Sequence, residues 1–298
     1  MWLQQIVNGL TIGVVYALLG MGFSMVWATA RTLNFATGAV YTTGSFLVFV
    51  VAVVLGVGGG TQVLPVLLAI LALGMLLGVI LGYLLDRGIF RPLRNVEMAP
   101  LFASMGVGIA LENVYVFIFG PRPTVVQVSG ARSFYQIGSA SVTLTQIIIL
   151  ILSVLLMAAL HMLLKRSAMG RAMRATAWDR TAAQLKGIDV NKVIALMFMI
   201  VASIGVVAGS FVGLFYGIMD PYMGLSVSIK GLAAAIFGGF GNIPGAIVGG
   251  LIIGILEAFG AAVTTSGNWQ DVFAYAILIL VIVFRPQGLF PERTQRGD

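Results

Sequence analysis

The sequence predicts an all-α polytopic integral membrane protein of about eight to nine transmembrane helices, some of them broken or re-entrant. Three observations carry this. Of 298 residues, 59% are hydrophobic and only 9% are charged, against about 25% charged in an ordinary soluble domain. Mean hydropathy is +1.05. Apolar runs of the length needed to cross a bilayer recur along the whole chain. A β-barrel would show short alternating segments instead. A large soluble core would need polar helix faces that these runs lack.

Nine apolar segments follow in order: Leu3–Trp27, Phe35–Leu55, Val63–Leu85, Met98–Phe119, Leu144–Leu164, Val193–Gly217, Leu225–Gly239, Ile243–Ala262 and Trp269–Phe284. The seventh is short, reaching only about 22 Å at 1.5 Å per residue. The first basic residue is Arg31, so the opening run lacks the positive start of a cleaved signal and reads as a retained span.

The net charge of +7 first reports orientation, because Lys and Arg gather on the cytoplasmic side. Arg87, Arg91 and Arg94 follow the third segment. Lys165, Arg166, Arg171, Arg174, Arg180, Lys186 and Lys192 follow the fifth. Arg285, Arg293 and Arg296 lie in the tail. These regions are expected inside, and Gly56–Gln62, Gly120–Thr143 and Thr264–Asn268 outside. Nine crossings satisfy this with the N-terminus outside, unless Asn34–Gly44 is re-entrant. No basic surface interleaved with aromatics suggests nucleic acid.

"IFGGFGNIPGAIVGG", Ile236–Gly250, puts a Gly-rich stretch at the inner end of the short seventh segment. Asn242 suits a helix cap and Pro244 a first turn. Gly245-x-x-x-Gly249 and Gly250-x-x-x-Gly254 are spacings that let helices approach closely. A helix break, re-entrant over Gly238–Gly245, and a plain tight turn are both open. Asn34-F-A-T-Gly38-Ala39 looks similar to Asn242-I-P-Gly245-Ala246, a hint of an internal repeat.

No chemistry of its own is expected. There is no G-x-x-x-x-G-K-[ST], no H-E-x-x-H and no G-x-S-x-G, so neither enzymatic activity nor a cofactor is expected. There are no cysteines, which excludes disulfides and thiolate metal sites. His161, the one histidine, reads as an interfacial helix residue. A charge at the bilayer centre costs about 2.5–3.5 kcal/mol, so Glu112 should face protein or water. Pairing with Lys230 and contact with a substrate are its two readings. Asn34, Thr37, Glu112, Asn113, Lys230 and Asn242 are the candidates for a translocation pathway.

Lys165–Lys192 is the most informative polar stretch. Within it, Thr181-Ala182-Ala183-x-x-x-Gly187 resembles the E-A-A-x-x-x-G coupling loop of ABC-importer permeases, with Thr181 where that pattern has Glu. "VNGLTIGVVYAL" at Val7–Leu18, "LNFATGAVYTTGSF" at Leu33–Phe46, "MGRAMRATAWDRTAAQLKGIDV" at Met169–Val190, Asp220–Phe259 and "FRPQGLF" at Phe284–Phe290 together resemble one family. It is the branched-chain amino acid ABC-transporter permease family, of the type called LivH. The resemblance implies one transmembrane permease domain over residues 1–298 in a bacterial inner membrane. It implies a second permease subunit, two cytoplasmic ATPases, and a periplasmic or lipid-anchored binding protein. Gly170, Arg171, Arg174, Thr181, Ala182, Ala183 and Gly187 would form the ATPase-coupling loop. The expected function is translocation of branched-chain or related amino acids. Permeases for urea, short amides or sugars, and a stand-alone secondary transporter, are the alternatives.

Overall fold

The computed structural model describes residues 2–55, 63–94, 96, 98–126, 134–137, 140–263, 270–285 and 288–290. The expected outer loops Gly56–Gln62 and Thr264–Asn268, and Arg132, Arg293 and Arg296, lie outside the described residues. The helices are α1 (Trp2–Ala30), α2 (Ala36–Val54), α3 (Val63–Leu85), α4 (Arg91–Leu93), α5 (Ala99–Phe119), α6 (Leu144–Arg166), α7 (Ala168–Trp178), α8 (Arg180–Leu185), α9 (Val190–Tyr216), α10 (Met223–Gly238), α11 (Ile243–Val263) and α12 (Gln270–Phe284). A π-helical turn, Asp86–Phe90, joins α3 to α4. Each of the nine expected segments falls on a helix, with ends agreeing to within three residues. Among the described residues, seven helices are long and apolar enough to cross a membrane. α10 and α12 are shorter, at 16 and 15 residues.

The helix ends sort onto two faces. At one end Arg180 reaches Thr29 O of α1, Arg94 reaches Asn191 of α9, and Arg174 reaches Leu164 O of α6. At the other end Gln4 of α1 bonds Ser141, and Asn8 bonds Gln146 of α6. Two short ribbons lie at this second end. β1 (Thr124–Val125) pairs with β4 (Ile218–Met219), and β2 (Phe134–Ile137) pairs with β3 (Ala140–Thr143). The basic loops around Arg87–Arg94 and Lys165–Lys192 thus share one end, with Arg122 alone among the described loop residues at the other, the arrangement that alternate crossings with basic loops inside require.

Close approach of backbones sets the packing. On α11, Gly250 and Gly254 meet Ala17 and Gly13 of α1, while Gly245 and Gly249 meet Gly238 and Ala234 of α10. The two spacings seen in sequence are therefore two faces of one helix with two partners. Two further ladders were not anticipated. Gly205, Gly209 and Gly213 of α9 lie along Thr37, Tyr41 and Ser45 of α2, and Gly78 and Gly82 of α3 lie against Ser203 and Phe198 of α9. Small residues every fourth position let helices touch along a line.

One ion pair is buried in this packing. Lys230 Nζ of α10 lies 2.8 Å from Glu257 Oε1 of α11, both side chains 7% exposed. The Tyr16 ring of α1 stands 5.6 Å from the same ammonium. This corrects the expected Glu112–Lys230 pairing. Lys230 lies in the middle of α10. α10 and α11 lie antiparallel after a short turn, so Glu257 comes to Lys230, while Glu112 is on α5.

Two stability tests follow from this packing. A Cβ at Gly209 would overlap the Tyr41 carbonyl, whereas one at Gly106 meets nothing within 4 Å. Gly209→Ala should destabilise by about 1–3 kcal/mol, and Gly106→Ala should be neutral or slightly stabilising. Melting of the detergent-purified chain reads both, and equal melting points would refute the ladder. Lys230→Met leaves a buried unpaired carboxylate and should cost about 3–5 kcal/mol. Adding Glu257→Leu should recover most of that loss. A double variant no more stable than the single one would show that the charge itself is not the cause.

Candidate functional site

The connection from α1 to α2 is non-helical and runs from exposed Arg31 to a buried end at Asn34. Asn34 is 3% exposed. Its Oδ1 accepts from the Ala36 N–H at 3.0 Å, and Thr37 Oγ1 donates to Asn34 O at 2.9 Å. Two serines on other helices complete the set. Ser104 Oγ of α5 accepts from the Phe35 N–H at 3.1 Å, and Ser228 Oγ of α10 donates to Phe35 O at 3.4 Å. The first turn of α2 lies beside Gly205, fifteen residues into α9, which is roughly 22 Å along that helix. Gly38 and Gly224 touch there, so α2 and α10 begin against each other part-way through the bundle. Irregular backbone at such depth stands only where protein satisfies it. Sequence reasoning found Asn34 and Thr37 but missed Ser104 and Ser228. The available signal was a hydroxyl inside each of two apolar helices.

The glycine stretch is a tight turn between α10 and α11. Gly239 and Gly241 have φ of +101° and +86°, which glycine adopts without strain. Asn242 Oδ1 accepts from the Gly245 N–H at 3.0 Å, capping α11 as its position suggested. The turn leaves the last carbonyls of α10 without helical partners. The C-terminal segment supplies them: Leu289 N–H donates to Phe237 O at 2.8 Å and Phe290 N–H to Gly238 O at 3.2 Å. Asn242 Nδ2 donates to Phe290 O at 2.9 Å. The likeness between Asn34 and Asn242 is therefore a shared capping role, filled with different spacing.

The remaining pathway candidates do not converge on these groups. Glu112 is half-buried, and its carboxylate interacts with the Leu225 backbone N–H in the first turn of α10. An acidic group is favourable at that helix end. Asn113 is exposed and donates to Ile109 O of its own helix. Lys230 is held by Glu257.

Between α6 and α9 the chain forms a compact knob. Ser167, Asp179 and Asp189 cap α7, α8 and α9 in turn. The Lys192 backbone N–H holds the Asp189 carboxyl below its usual range. Arg171 donates to Arg166 O and Arg174 to Leu164 O, so both satisfy the end of α6. Gly170 packs directly on Leu164. The two short helices meet at Asp179, not at Gly187. Gly187, at φ +80°, joins α8 to α9 instead. Ala183 faces inward at 3% exposed, and Thr181 and Ala182 face out. Trp178 is 75% exposed and Leu185 85%. Both were missed, though an apolar residue within the most charged loop was the signal.

The profile of a family described as branched-chain amino acid transport system, permease component, matches residues 5–282. The high-affinity branched-chain amino acid transport system permease protein BraD of Pseudomonas aeruginosa is 37% identical over 293 residues, covering 97% of this chain and 95% of that protein. The permease protein LivH of Escherichia coli K12 is 37% identical over 294 residues, with the same coverage. A ribose import permease protein, RbsC of Haemophilus influenzae, is 28% identical over 288 residues, covering 94% of this chain and 84% of its own. No solved structure matches the chain. With its membrane-spanning bundle and this match along almost its whole length, the chain belongs to the branched-chain amino acid transport permease family.

Proposed function

We propose that this chain is the transmembrane subunit of an ATP-driven importer for branched-chain amino acids, acting as one permease domain in a bacterial inner membrane. The observation that carries the coupling is the knob of α7 and α8. It stands at the basic end of the bundle with Trp178 and Leu185 in solvent. An aromatic and an aliphatic anchor on rigid short helices are what a docking contact uses. The knob takes an ATPase subunit, one for each of two permease chains. Arg171, Arg174 and Gly170 hold its base to α6, Asp179 and Gly187 set its turns, and Thr181 and Ala182 face the partner. A substrate-binding protein delivers at the opposite end, beside the β1–β4 and β2–β3 ribbons. Asn34 and Thr37 contribute as the fixed start of α2, and Glu112 as a polar group beside the first turn of α10.

The substrate class rests on the BraD and LivH relatives. The ribose permease relative is what favours a second reading, sugar import. Uptake by proteoliposomes holding the reconstituted complex separates them. Labelled leucine should enter only with internal ATP, and excess isoleucine should block it while excess ribose does not. Competition by ribose alone would make this a sugar permease. Uptake by this chain without any ATPase would make it a stand-alone transporter.

The docking surface is tested by binding. Trp178→Ala should weaken ATPase association by roughly 30-fold, the effect of losing about 2 kcal/mol at an interface anchor. Gly187→Val forces a β-branched residue into a positive φ and should abolish coupled hydrolysis while insertion persists. Tyr135→Ala, at the far end of the molecule, should leave association unchanged. Normal coupling by both knob variants would place the ATPase elsewhere.

A further inference from the structure

At the basic end, the close of α1, the Asp86–Phe90 turn, α8 and α9 enclose a cavity of about 240 Å³. Arg31, Arg94 and Arg180 line it beside Phe90, Val96 and Phe198. Arg94 is answered by Asp86 at 2.7 Å and also donates to Asn191. Arg31 and Arg180 are held differently. Arg31 donates to Ala177 O, at the end of α7, at 3.5 Å, and Arg180 donates to Thr29 O, at the end of α1, at 3.2 Å. Neither forms an ion pair with a carboxylate among the described residues. A guanidinium offers five N–H donors in a planar fork, and one carbonyl uses few of them.

Arg180 is half-buried, Arg31 is exposed at the mouth of the cavity, and the two are close enough to repel. Burial, and then the neighbouring Arg31, push the Arg180 guanidinium below its usual pKa. An anion between them would relieve both effects. Arginine forks match a phosphate in particular. The walls beside the cations are apolar, which suits a phosphate that carries an acyl chain. The cavity also lies at the basic end of the bundle, the end expected on the cytoplasmic side, where basic pockets between helices take anionic lipids.

We infer that this cavity binds the phosphate of an anionic inner-leaflet lipid between Arg31 and Arg180. The two arginines belong to different working parts. Arg31 begins the connection that leads to Asn34, and Arg180 begins α8 of the knob. A bound headgroup therefore ties the knob to the buried start of α2. The inference rests on the orientation of the bundle and not on which solute is carried.

Native mass spectrometry of the purified full chain in neutral detergent tests it, with phosphatidylglycerol, phosphatidylcholine and inorganic phosphate as probes. The parent should retain one phosphatidylglycerol and lose phosphatidylcholine. Arg31→Gln with Arg180→Gln should weaken that retention about 25-fold, roughly fivefold for each lost charge. Both arginines also cap helix ends, so Val96→Glu is the second variant. It leaves every arginine in place and puts a carboxylate at the rim of the cavity, and it too should lose the lipid. Arg87→Gln, whose guanidinium stands over Tyr83, should retain it. Equal retention of both lipids by the parent, or undiminished retention by the double variant and Val96→Glu, would overturn the site. Displacement of phosphatidylglycerol by millimolar inorganic phosphate would assign the cavity to free phosphate and overturn the lipid.

Discussion

Apolar side chains on facing helices gain little from each other in lipid, because acyl chains are as apolar as leucine. What holds α1 to α11, and α9 to both α2 and α3, is close contact across glycines placed every fourth residue. At such contacts the backbones themselves touch, so dispersion is gathered along the whole line of approach. The same closeness brings Lys230 and Glu257 within 2.8 Å and lets Gly38 meet Gly224 where two helices begin. Spreading α11 from α1 or α10 would open the ion pair to hydrocarbon, and spreading α9 from α2 would open the irregular start of α2. The ladders therefore underlie both the fold and the polar features inside it.

The two breaks in the helical pattern follow from one rule, that a backbone group in the membrane interior must find a partner in protein. At the first break the partners are Ser104, Ser228 and the Asn34 side chain. At the second they are Asn242 and the chain's own C-terminal residues Leu289 and Phe290. The solutions differ in what they permit. The serine contacts join three separate helices, so motion of α5 or α10 must carry the start of α2 with it. The C-terminal clasp instead closes the α10–α11 hairpin and makes it one rigid piece.

Much of this was legible in the sequence, for identifiable reasons. Helix positions came through because hydropathy must be sustained over a whole span, and the ends agree to within three residues. The Gly245 to Gly254 spacings and the Asn242 cap were visible because they are local. The ladder Gly205, Gly209 and Gly213 obeys the same four-residue spacing, but it lies within a long apolar run where no proline or asparagine draws attention to it. The partner of Lys230 was not legible, since two carboxylates, Glu112 and Glu257, were available and only the turn at Gly239–Asn242 decides between them. What Ser104 and Ser228 bond to was not legible for a related reason. What they bond is the Phe35 backbone, which carries no sequence signature.

The reciprocal arginines give a physical route from the knob to the buried site. Arg180 holds the last turn of α1, and Arg31, just past that turn, holds the last turn of α7. Each thus places a cation on the carbonyl end of the other's neighbouring helix, where it is favoured. Between Arg31 and Asn34 there are only Thr32 and Leu33, too few residues to absorb a displacement as slack. Asn34 in turn fixes the first N–H of α2. A shift of α8 against α1 is therefore passed to the start of α2 through bonded groups in series. α2 lies along α9 by a glycine ladder, and helices joined in that way slide or tilt as units rather than bend. On this geometry a displacement of the knob would reach the middle of the bundle without crossing it, because the chain from Arg31 to Asn34 makes the connection itself.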